Sequence, residues 1–84
     1  MIEGPTLKEG QFALLMCDGA TGHVLTTEGE VYLSTKGSVY LVFEGITSVR
    51  KYIKTTQEEN NTVEFSIYDH KYELVEFYKA LKWV

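Results

Sequence analysis

Two histidines and the acids near them are the first residues to weigh for chemistry. His23 follows Asp18 across a glycine-rich stretch, and His70 adjoins Asp69. A metal ion needs three or four donors converging at fixed distances, so neither turn suffices unless the two meet. The spacing demands no meeting. Both histidines are expected in ordinary exposed turns, with no metal. Gly19-Ala20-Thr21-Gly22 has the small residues of a phosphate loop. A nucleotide loop, however, has a longer glycine frame that ends in Lys and Ser or Thr and opens a helix. Here His23 and a β-rich segment come next without a lysine, and 84 residues are too few for a dinucleotide fold. The stretch is expected as a strand connection, and no cofactor is expected.

Carboxylates and nucleophiles lead no further. Glu28, Glu30 and Glu44 could supply the two acids of glycoside chemistry, which must face each other across a substrate cleft. A domain of this size has little room for one. Ser34, Ser38, Ser48 and Ser66 lack a nucleophile setting, and residue order alone makes no Ser–His pair. Cys17 is the single cysteine and ends the apolar run Ala13-Leu14-Leu15-Met16-Cys17. No base or positive charge adjoins it, so it is expected as a buried, inert thiol. A lone cysteine forms no intramolecular disulfide, which excludes a disulfide-stapled secreted fold. No catalytic residue is assigned, and the chain is not expected to be an enzyme.

The aromatic residues are more informative. Six Tyr, four Phe and one Trp are many for the core of an 84-residue chain. A core or core-rim place is expected for most, with hydroxyls at the edge. Tyr68, Tyr72, Phe77, Tyr78 and Trp83 lie close together near the C-terminus and are the candidate partner-binding residues. Tyr and Trp suit such surfaces because they join apolar area to a polar tip.

Charge narrows the partners. Eight basic against twelve acidic residues give a net charge of -4. Arg50, Lys51 and Lys54 make a small local patch, but no continuous basic stripe offers a phosphate backbone its field. Nucleic acid is not expected as a partner. No run approaches the roughly 18 apolar residues of a membrane span. Met1-Ile2-Glu3-Gly4-Pro5 has neither the basic nor the apolar part of a signal peptide, so a cytoplasmic place is expected.

The elements that must position these residues are legible from periodicity. Residues 1–10 read as a polar lead-in. Residues 11–17 are apolar on both sides, which marks a central strand. Residues 24–27, 31–34 and 39–43 are β-rich, with Gly29 and Gly37 at the breaks, and an antiparallel meander is the simplest arrangement. Residues 46–59 change period: Ile46, Val49, Ile53 and Tyr52 gather on one helical face opposite Arg50, Lys51, Lys54 and Glu58. Gly45 and Thr47 compete as the first cap, and Asn60-Asn61 is expected to close the helix in the left-handed conformation.

Residues 62–68 alternate cleanly, with Val63, Phe65 and Ile67 inward. Residues 69–84 admit two readings. In the first, Asp69-His70-Lys71 turns a hairpin into a strand carrying Tyr72 and Leu74, and a helical turn or two begins at Phe77. In the second, Asp69 caps a longer helix with the stripe Leu74, Phe77, Tyr78, Leu81 and Val84. Both are α+β: one small domain over residues 1–84, an antiparallel sheet of five or six short strands, and an amphipathic helix on one face. The function expected is a non-catalytic protein-binding or regulatory module. The alternatives are a small structural subunit or obligate homodimer and, more distantly, a small ligand-binding protein or enzyme.

Overall fold

The computed structural model describes residues 4–32 and 38–82. Five antiparallel strands and one helix occur in the order β1 (Gln11–Asp18), β2 (Val24–Leu25), β3 (Tyr40–Glu44), α1 (Ile46–Glu59), β4 (Val63–Tyr68) and β5 (Leu74–Tyr78). The fold is α+β, with α1 packed on one face of the sheet.

β1 is central because its side chains have apolar neighbours on both faces. One of its edges pairs along its length with β4, which in turn pairs with β5. The other edge is shared: β3 takes Gln11 to Leu15, and β2 takes Met16 and Cys17. At roughly 3.4 Å per residue, eight residues are long enough to seat two shorter strands end to end. The expected meander is corrected by this pairing. Residues 24–32 do turn back on themselves, with Gly29 at φ +86° and Leu25 bridged to Val31. The third strand then returns to β1 instead of continuing the series. The segment expected at residues 31–34 runs into residues outside the described part.

The core lies between α1 and the sheet. Leu14, Met16, Leu25, Val63, Phe65 and Ile67 meet Val49 and Ile53, with Phe12, Leu41, Phe43, Ile46 and Tyr52 around them. α1 spans the residues that its stripe marks, and that stripe holds it. Gly45, at φ +88°, is the cap residue and makes no side-chain cap bond. No acid lies in the first turn and no base in the last, so the terminal charges give α1 no support. Arg50 reaches from α1 to β5, with Nη2 2.5 Å from Glu76 Oε2. Both side chains are substantially exposed, and such a pair contributes little to stability.

The end of α1 departs from expectation. Asn60 is extended at φ -146°, not left-handed. Its Oδ1 accepts hydrogen bonds from the Thr62 N–H and hydroxyl. An Asn side chain that finds local donors closes the turn itself and leaves its backbone free to extend.

The C-terminal ambiguity resolves as a hairpin, and both helical readings are corrected. Asp69 Oδ1 accepts from the Lys71 and Glu73 N–H groups, at 2.9 and 3.0 Å. That resembles helix capping in sequence, but Tyr72 adopts φ +60° and turns the chain back. β4 then supplies ladder partners through Phe77 and Tyr78, and no helical turn forms at residues 77–82. A bulge sits opposite the junction of Ile67 and Tyr68. Val84, the end of the proposed stripe, lies outside the described residues.

Candidate functional site

The helix covers one face of the sheet, and the other is the candidate surface. Leu14 and Met16 belong to the helix-side core, so the residues between them along β1 point the other way. Register then fixes two rows across the open face. One runs Val42, Ala13, Tyr68, Leu74, and the next runs Tyr40, Leu15, Ser66, Phe77.

The rows are apolar and partly bare. Val42 is 42% exposed, Phe77 48% and Leu74 57%, while Ala13 between them is fully buried. Val75, beside the bulge, is exposed as well. Tyr40, at the β3 end of its row, meets Tyr68 of the other row edge-on at 6.3 Å and Tyr72 at 5.6 Å. The Tyr72 hydroxyl donates to the Pro5 carbonyl, which ties the lead-in to this cluster. Leu7 in the same lead-in is buried, so the stretch read as polar carries one core-type anchor. Burial, with a smaller contribution from the neighbouring tyrosines, pushes the Tyr40 phenol up, and burial alone does so for Tyr72. Both therefore stay neutral hydrogen-bond donors at ordinary pH.

The five aromatics singled out from the sequence separate. Tyr68 and Tyr72 come together and gain Tyr40, while Phe77 stands in the adjoining row. Tyr78 alternates to the helix side, packs against the core and donates its hydroxyl to Glu76 Oε1 at 2.8 Å. Trp83 lies outside the described residues. Tyr40 and Val42 were not among the candidates, because they reach this face only through the pairing of β3 with the distant β1, whereas Leu74 arrives through the local hairpin opposite Tyr68 and carries no aromatic signal.

Cys17 is half-buried, not enclosed as expected. It comes two residues after Leu15 on β1 and pairs with Glu64, so it belongs to the less covered side. Burial first, and the Glu64 carboxylate second, push its thiol up from the ordinary value. The thiolate is the reactive form, so alkylation at pH 8 is expected to run well below the rate of free cysteine. Glu64→Gln is expected to raise that rate, as measured by mass spectrometry of the native chain. A wild-type rate equal to free cysteine would contradict this placement.

The turn residues weighed for metal or phosphate chemistry serve the turn itself. Thr21 Oγ1 donates to Asp18 Oδ2 at 3.1 Å and lies 2.9 Å from His23 Nδ1. Asp18 Oδ1 accepts from the Ala20 N–H. Among the described residues, no three His, Cys, Asp or Glu side chains are placed to hold a metal ion, and no helix is long and apolar enough to cross a membrane. No protein-family model, curated protein or solved structure matches the chain.

Proposed function

We propose that this chain is a non-catalytic module that works through protein–protein contact, with the open face of its sheet as the contact surface. The observation that carries the reading is the exposure of Val42, Leu74 and Phe77 at the ends of the two rows, with the Tyr40 and Tyr68 rings in the rows between them. Large apolar side chains exposed together on one face are costly to leave in water and are characteristic of interaction sites. Its chemistry also fits: exposed aliphatic and phenyl side chains at the row ends, tyrosines among them, and no charged side chain within either row.

A second copy of the chain is the alternative partner. A sheet covered on one side only can stack on another at roughly 10 Å, as in a sandwich, and a small core gains from the added burial. One experiment separates the two. A photo-crosslinking amino acid replaces Phe77 in living cells, with Lys54 on the exposed side of α1 as the control position. Adducts are expected from position 77 and not from 54. An adduct of twice the chain mass identifies the homodimer, and a different mass identifies another protein. Equal yields at the two positions, or none at 77, would overturn the open face as the contact surface.

A further inference from the structure

The helix side of the molecule carries a separate feature, independent of the open face. A cleft of about 400 Å³ opens between the C-terminal half of α1 and the turn after β2. Small-molecule sites span roughly 300–1,000 Å³, so its size suits a compact ligand. Its floor is apolar and already buried: Met16, Leu25 and Val63. Tyr52 forms part of its wall.

Its rim is negative. Glu28 approaches from the β2 side and Glu59 from the end of α1, and among the described residues no lysine, arginine or histidine lines the cleft. Among the described residues, neither carboxylate has an ion-pair partner. Glu59 also sits in the last helical turn, where the exposed carbonyls add partial negative charge and no basic residue offsets them. An acid at a helix C-terminus disfavours the helix, so the arrangement raises the energy of the empty cleft and lowers it when a cation enters. The apolar floor selects further. A bare metal ion would find two carboxylates and, among the described residues, no third His, Cys, Asp or Glu ligand, with the apolar floor beneath it. An anion would be repelled. An uncharged apolar molecule would fill the floor but leave the rim uncompensated.

We propose that this cleft binds a small organic cation, an ammonium group carried on an apolar body. The ammonium lies between Glu28 and Glu59, and the body rests on Met16, Leu25 and Val63. Two sources share that chemistry: a free amine, and a lysine side chain presented by another protein.

The test is a titration of the isotopically labelled full chain, monitored by amide NMR, with three probes of similar shape. Phenethylammonium is cationic, 2-phenylethanol neutral and phenylacetate anionic. Saturable shifts at residues 27–29 and 55–60 are expected with phenethylammonium, at least about tenfold weaker binding with 2-phenylethanol, and none with phenylacetate. Both carboxylates are at exposed residues, so the Glu28→Gln, Glu59→Gln double variant should keep its fold, with a thermal midpoint no lower than that of the wild type. It is expected to lose about tenfold in phenethylammonium affinity. Nα-acetyl-lysine amide tests the second source: binding as tight as phenethylammonium assigns the cleft to lysine side chains, and weaker binding assigns it to free amines. Equal affinity for the three probes, an unchanged affinity in the double variant, or no saturable shift with phenethylammonium up to about 10 mM would overturn the proposal.

Discussion

Ile53→Asp is expected to unfold the chain at room temperature, with a loss of about 5 kcal/mol or more. Ile53 is 1% exposed and meets the sheet from the middle of α1, among Leu14, Phe65 and Ile67. Truncating a buried Ile costs about 2–5 kcal/mol through lost transfer energy and the cavity left behind. A carboxylate adds the cost of burying a charge, and the described core contains no buried polar or charged residue to receive it. Natural domains have only about 5–15 kcal/mol in total, and a chain of this size belongs near the lower end. Helical circular dichroism should therefore be lost without denaturant. Ile53→Val, expected to cost about 0.5–1.5 kcal/mol with an unchanged urea slope, reports the same site in a folded chain. A wild-type midpoint in the aspartate variant would mean that α1 does not pack through this stripe.

Phe65→Ala and Phe77→Ala are expected to differ by several kcal/mol although the residues lie on adjacent strands. Phe65 is fully buried on β4 under α1, and truncation of a buried Phe costs about 3–5 kcal/mol. Phe77 pairs with Ser66, the next residue along β4, but faces the other way and is 48% exposed. Its loss in the isolated chain should cost about 1 kcal/mol or less, because surface truncations leave no sealed cavity. Urea denaturation of both variants measures the difference. Comparable losses would mean that the outer face is already covered in the isolated chain. The asymmetry also separates roles, since the stability of the fold draws on Phe65 while Phe77 remains available for contact.

The features legible in the sequence are the local ones. The period of apolar residues at 46, 49 and 53 locates α1, because a helix buries one stripe and that stripe is written in consecutive turns. The alternation of Val63, Phe65 and Ile67 locates β4 and its inner face for the same reason. The apolar residues on both sides of β1 mark it as central before its partners are known. Features that depend on partners distant in the chain emerge only on folding. Asp69 with a periodic apolar run after it satisfies both a helix start and a hairpin turn. Only the ladder offered by β4 selects the strand, since propensity differs by less than the pairing supplies. Tyr40 joins Tyr68 and Tyr72 because β3 and β4 flank β1 on opposite edges, a neighbourhood that residue order does not encode. The open face and the acidic cleft arise in the same way: each gathers side chains from segments that meet only when the sheet closes around β1, and surface shape depends on that meeting.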